Sequence, residues 1–174
     1  MATSKKKTAK PRVGIMMGSD SDYSVMSEAS KILDQFGVAH EVLVTSAHRT
    51  PARTKKYVDQ SRKRGIQVLI AGAGAAAHLA GVVAAETTLP VIGVPIGSSP
   101  LQGFDSLLST AQMPGGVSVA TMAIGKAGAK NAGIMAVQIL ALNDAKLTKK
   151  LDQYKKDMAK QVEAKNRKLQ SAHG

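Results

Sequence analysis

The run Ser46-Ala47-His48-Arg49-Thr50-Pro51 sets a histidine beside an arginine. One of these side chains can move a proton near neutral pH and the other can clamp an anion. Two further stretches offer complementary groups. Gly18-Ser19-Asp20-Ser21-Asp22 carries hydroxyls and carboxylates, and Gly72-Ala73-Gly74-Ala75-Ala76-Ala77-His78 is a small-residue run ending in a second histidine. Each stretch precedes a helical pattern, and the free amides of a helix start favour an anion, phosphate above all. Ser19 could bond a phosphate oxygen or simply cap its helix. Asp22 could accept from ribose hydroxyls or act as a first-turn carboxylate favoured by the helix dipole. Arg49 would complete a phosphate clamp. Taken alone, the hexapeptide reads equally well as a solvated turn.

Other chemistries find little support. There is no cysteine, so disulfides and thiolate catalysis are excluded. No Gly-x-Ser-x-Gly elbow points to a serine hydrolase. His40, His48, His78 and His173 lack the spacing of a metal site, so no metal is expected. Gly72-x-Gly74 is a weak dinucleotide signal, because Ala77 replaces the third glycine and no acidic partner follows about twenty residues on. His40 alternates with apolar residues and His173 lies in the tail, so both read as structural or solvated. His48 is left as the candidate for proton transfer.

These stretches need a frame. Residues 12–17 form a short apolar run that fits a buried parallel strand. Val25, Met26, Ala29, Ile32, Leu33 and Phe36 then recur at helical spacing, with Gly37 as the stop. Residues 38–45 read as a second strand, and a helix from Pro51 to about Arg64 ends at Gly65. A third strand over 66–71 leads to a helix reaching about Thr88. A fourth strand covers 90–95, then a Gly97-Ser98-Ser99 loop and a helix with Leu107 and Leu108. A fifth strand is expected over 117–123, with a small-residue helix from 126 to about 142. Five alternations at short loops predict right-handed βαβ units in one parallel sheet covered on both faces. The three chemical stretches would then share the carboxyl rim of the sheet, near its switch point.

A last amphipathic helix, about 144–169, lies outside that alternation. Leu147, Leu151, Tyr154, Met158, Val162 and Leu169 make an apolar stripe on it. The stripe is expected to pack on a neighbouring subunit; folding back over its own subunit and lying on a membrane surface are the competing readings. The organisation expected is a basic, disordered arm over 1–11, one α/β catalytic domain over 12–143, and the helix with its tail over 144–174.

The 174 residues carry a formal net charge of +12, which suggests nucleic acid until the charge is located. Lys5, Lys6, Lys7, Lys10 and Arg12 contribute +5, and the segment from Lys146 onward contributes +6. The middle is nearly neutral, and aromatic residues at 3% leave little for stacking on bases. A nucleic-acid partner is therefore not expected. No apolar run is long enough to span a bilayer, and no signal-like apolar core follows the basic start. A cytoplasmic protein without a membrane partner is expected.

Taken together, Met17-Gly18-Ser19-Asp20-Ser21-Asp22, residues 46–51 and Ala71 through Leu79 resemble the 5-(carboxyamino)imidazole ribonucleotide mutase family of purine biosynthesis. Gly93-Val94-Pro95, Asp105-Ser106-Leu107, Gln112-Met113-Pro114 and Ala123-Ile124-Gly125-Lys126-Ala127-Gly128-Ala129 extend the likeness over residues 12–143. The resemblance implies a three-layer αβα, flavodoxin-like fold and a homo-octamer. It implies an isomerase that moves a carboxylate from the exocyclic nitrogen of the ribonucleotide to ring carbon 4, without ATP, metal, biotin or other cofactor. It implies that Ser19, Asp22 and Arg49 bind the ribotide, that His48 is the catalytic acid-base, and that Ser46, Gly74 and His78 line the base and carboxylate. Two positions depart from the family pattern: Ala75 where glycine is usual, and Ala80 where proline is common. A β-carbon at 75 matters only if that residue needs a positive φ. The alternatives are a carboxylase adding free carbon dioxide to the same ring carbon, and a flavodoxin-like nucleotide-binding module. The Gly72-Ala73-Gly74-Ala75-Ala76-Ala77-His78-Leu79 loop resembles the mutase branch, and the rim loops hold no aromatic but Tyr23 to stack on a flavin.

Overall fold

The computed structural model describes residues 10–173. The basic arm expected over 1–11 lies almost wholly outside the described residues. Five strands form one all-parallel sheet in the order β2-β1-β3-β4-β5. They are β1 (Val13–Met17), β2 (His40–Val44), β3 (Val68–Gly74), β4 (Val91–Ile96) and β5 (Ala120–Thr121). The helices between them are α1 (Tyr23–Phe36), α2 (Pro51–Arg64), α3 (Leu79–Ala85), α4 (Phe104–Ala111) and α5 (Gly125–Ala141). This is the doubly wound, flavodoxin-like order whose switch point lies between β1 and β3. All five residues of β1 are buried, as expected for a central strand with helices on both faces.

The pleat sorts the core. Met16, Leu69 and Ala71 face a cluster with Val58 of α2 and with Leu79, Ala80 and Val83 of α3. On the opposite face a side chain at Gly72 would run into Met26 of α1. A β-carbon at Gly133 of α5 would press on Ala29 and Ile32, so α1 and α5 approach closely there. Gly37 and Gly65 end α1 and α2 in left-handed conformations, φ 72 and 101, as the sequence predicts.

Two elements are shorter than their sequence suggests. The fifth strand was expected over 117–123 and pairs only at Ala120 and Thr121. The Met122 amide donates to Gly93 O, and the next residue of β4 on that edge is Pro95, which has no N–H to continue the ladder. Helix α3 stops at Ala85 rather than near Thr88. There Thr87 Oγ1 accepts from the Leu89 amide and Pro90 follows, so the chain turns instead of continuing.

The chain divides into two compact units, Met1–Val137 and Gln138–Gly174. The second consists of the end of α5 and α6 (Ala145–His173), which is longer than expected and includes His173 in its last turn. Asp144 Oδ1 accepts from the amides of Lys146 and Leu147, capping α6. Among the described residues no helix is long and apolar enough to cross a membrane.

Candidate active site

The carboxyl ends of β1, β2 and β3 open into a cavity of about 320 Å³, at the switch point of the sheet. The loop after β1 contributes Gly18, Ser19, Ser21 and Asp22; the loop after β2 contributes Ser46, Ala47, His48 and Arg49. From β3 and beyond come Ala73, Gly74, Ala76 and Leu79, and Ser98 reaches in from the loop after β4. Of the seven residues singled out in the sequence, six line this cavity. The seventh, His78, touches it through His48.

Each wall is held by backbone chemistry. The Gly18 amide donates to Gly72 O at 3.2 Å, tying the first rim loop to the third. Ser19 begins a single 3-10 turn over Asp20–Asp22 in a reciprocal capping arrangement. Its Oγ accepts from the Ser21 amide at 3.3 Å, while its own amide donates to Asp22 Oδ2 at 3.1 Å. Ser19 thus caps the turn, and Asp22 is a carboxylate of that turn that accepts from the Ser19 amide.

Asp22 is buried, and burial pushes its carboxyl above the ordinary value of 3.8 against the opposing hydrogen bonds from Ser19 and Gly18. The folded state therefore holds this proton more tightly than the unfolded chain. Its contribution to stability falls as pH rises from the unfolded value through the raised folded one. Asp22→Asn, whose amide oxygen can still accept from Ser19, is expected to stabilise the ligand-free protein at pH 7 and to change nothing well below pH 3.8. Urea unfolding at both pH values checks this; equal stability of the two proteins at neutral pH would contradict it.

The second loop is wound by hydroxyls. The Thr50 amide donates to Ser46 O at 2.9 Å and the Ser46 amide to Thr50 Oγ1 at 2.9 Å. Ser46 Oγ accepts from the Arg49 amide at 3.1 Å. Pro51 then opens α2 at its first turn. This winding leaves His48 and Arg49 exposed at the rim, and Arg49 Nη2 donates to Gly18 O at 3.1 Å. A guanidinium thus spans the first two loops with further donors to spare.

Gly74 is fixed by space: a β-carbon there would overlap Ser98 Oγ. That contact also identifies a lining residue absent from the sequence reading. Ser98 belongs to the loop after β4, and β4 pairs with β3, so its rim adjoins the same cavity. Ser21 was passed over as well, although its hydroxyl donates to Ser19 Oγ at 2.9 Å.

The loop after β3 carries the two departures. Ala75 has φ 48, so the condition under which its β-carbon matters is met. A left-handed L-residue costs about 1–2 kcal/mol, and glycine would return roughly 0.4–1 kcal/mol of that through the freer unfolded chain. Ala75→Gly is thus expected to stabilise the protein by up to about 1 kcal/mol. Chemical denaturation reads it; a loss of stability would mean that the loop does not strain this residue. Ala80 lies in the first turn of α3 with its side chain buried.

His78 stands at the N-cap of α3 but makes no capping bond. Its Nδ1 instead lies 2.8 Å from His48 Nε2, with the rings edge to face at 83° and centroids 4.9 Å apart. His40 is tied elsewhere, to Ser30 Oγ and the Val38 carbonyl. What the arrangement offers is a proton-carrying histidine facing helix-start amides, a guanidinium and a carboxylate across a small polar cavity.

The sequence and the fold have counterparts among known proteins. The sequence pattern described as AIR carboxylase matches residues 12–161. The N5-carboxyaminoimidazole ribonucleotide mutase of Pyrococcus horikoshii is 54% identical over 164 residues, 94% of this chain and 92% of that relative. The enzyme of the same name from Bacillus subtilis is 57% identical over 152 residues, covering 87% of this chain and 94% of its own. A crystal structure of Treponema denticola PurE superposes with a TM-score of 0.83 at 26% identity, covering 91% of this chain and 98% of that one. The matched pattern spans β1 through α5 and so contains all three rim loops: the chain belongs to the AIR carboxylase family.

Proposed function

We propose that this protein is a mutase of purine biosynthesis. It converts 5-(carboxyamino)imidazole ribonucleotide to 4-carboxy-5-aminoimidazole ribonucleotide by decarboxylation and recarboxylation. The observation that carries the reading is the exposed His48 at a switch-point cavity, in a chain more than half identical to relatives named for that activity. His48 first gives a proton to the exocyclic nitrogen as its bond to the carboxylate breaks, leaving the amine and carbon dioxide. Ring carbon 4, made electron-rich by that amine, then attacks the carbon dioxide. The resulting tetrahedral carbon returns its proton to His48 as the ring becomes aromatic again, so no proton is gained or lost overall.

Ser19, Asp22 and Arg49 bind the ribotide in this reading. The hydroxyl hydrogen of Ser19, which goes to Asp20 Oδ1 in the ligand-free protein, and the spare donors of Arg49 suit a phosphate. Asp22 suits ribose hydroxyls. Ser46, Gly74 and His78 would line the base and carboxylate, with Ser98 seated against Gly74 on the same wall. Incubation with the carboxyamino ribotide, following the carbon-carboxylated isomer, tests the assignment. Turnover only of the aminoimidazole ribotide with bicarbonate would replace it by the carboxylase reading.

Arg49→Ala and Ser19→Ala are each expected to weaken ribotide binding by roughly 1.5–3 kcal/mol, the range for hydrogen bonds to charged groups. Calorimetric titration with ribotide and with the free nucleoside checks this. An equal loss for the nucleoside would remove the phosphate role.

The same reading takes the protein to be a cytoplasmic homo-octamer. The oligomer is supported by the apolar stripe of α6, on which Met158, Val162 and Leu169 remain exposed. Cell fractionation tests the compartment, and light scattering the subunit count.

A further inference from the structure

The loops after β2 and β3 bring two imidazoles together from thirty residues apart, and the contact is specific. His48 Nε2 faces His78 Nδ1 at 2.8 Å, ring edge to ring face. Neither ring is tied down by its own helix. His48 sits in the turn closed by Thr50 and Ser46, and His78 occupies the N-cap of α3 without capping it. Two nitrogens at that separation accept one hydrogen between them: one must donate and the other must present its lone pair. A second hydrogen in the gap, which protonation of both rings would impose, would bring two N–H groups head to head.

We propose that His48 and His78 form a single two-histidine unit holding one bridging proton, with His78 as the positioning residue that orients His48 Nε2 and sets how many protons the site carries. The inference deepens the mutase reading and rests on it for the role of His48. Uptake of one proton by the pair is favoured, because an imidazolium donating to a neutral imidazole is a charge-assisted hydrogen bond. Uptake of a second is opposed by the first charge. The pair therefore titrates in two macroscopic steps that belong to neither ring alone.

The surroundings do not override this. Among the described residues the charged groups lining the cavity are Asp22 and Arg49, with Asp20 nearby in the first rim loop and Arg53 in the first turn of α2. The β3 loop and α3 contribute no charge, and Ser98 brings only a hydroxyl. The carboxylates and the arginines bear on both steps in the same direction, whereas the spacing between the steps comes from the pair itself. The singly protonated pair is the form suited to the reaction, since it offers one proton and has a place for its return.

The test is a histidine titration of the ligand-free protein by NMR, in wild type, His78→Asn and His48→Asn. In wild type, His48 and His78 are expected to share two steps separated by more than about one pH unit. In His78→Asn, His48 should collapse to a single step, and His78 should do the same in His48→Asn. Circular dichroism and a cooperative urea transition report whether each variant keeps its fold. In the pH profile of kcat/KM, His78→Asn should lose the acid limb and keep a single limb. An unchanged His48 titration in His78→Asn would overturn the proposal even if the enzyme is a mutase. A coupled titration in a protein that does not isomerise the ribotide would leave the pair standing and remove the mutase reading instead.

Discussion

His48→Asn is expected to abolish isomerisation while leaving the fold and the ribotide affinity nearly intact. The fold is spared because His48 is exposed in a turn held by hydrogen bonds of Ser46, Arg49, Thr50 and Thr54 that do not use its imidazole. Affinity is spared because the groups assigned to phosphate and ribose lie in other positions, across the first loop and at Arg49. Catalysis is not spared, because both halves of the reaction pass one proton through the same imidazole and asparagine cannot carry it. General acid-base assistance is typically worth about 10²–10⁴-fold for one step, and here two steps depend on it. Single-turnover assays with saturating ribotide separate the loss of chemistry from any loss of binding. Turnover above about a tenth of wild type would mean that another group supplies the proton and that the assignment of His48 is wrong.

How much of this was legible in the chain depends on the range of the interaction. Gly37 and Gly65 announce their helix ends because a left-handed residue is a local demand that glycine meets. The apolar run at β1 announces a buried strand for a similarly local reason. The five-fold alternation then brings the three chemical loops to one rim, and that much of the site follows from topology. Contacts across the rim do not. Nothing within either loop tells that His48 meets His78, or that Ser98 closes over Gly74. The end of the β5 ladder has a local cause in Pro95, but one that lies on the neighbouring strand rather than on residues 117–123. The strain at Ala75 was visible only as a condition, since a run of alanines and glycines does not state which residue takes the positive φ.

Truncation after Asn143 is expected to break the proposed oligomer into smaller species while leaving the parallel sheet folded. Helix α6 runs for 29 residues, about 43 Å at 1.5 Å per residue. From Lys155 onward every described residue on it is exposed, including Met158, Val162 and Leu169, which are 42%, 66% and 60% exposed. An isolated helix draws little stability from propensity alone and needs packing along an apolar face. The stripe through Leu147, Leu151, Tyr154, Met158, Val162 and Leu169 supplies such a face, and lysines hold the others. A second copy of the chain is a fitting partner, because symmetric assemblies bury the same patch on each subunit and repeat the gain. A membrane surface suits the helix less, since Asp152, Asp157 and Glu163 interrupt its basic faces. Light scattering of the full chain and of the truncated protein gives the subunit count of each, and circular dichroism shows that the remaining domain is folded. An unchanged count with unchanged turnover would remove α6 from the interface. A smaller species with a cooperative unfolding transition would place the subunit contact on this helix, and any accompanying loss of turnover would show that the active site depends on assembly.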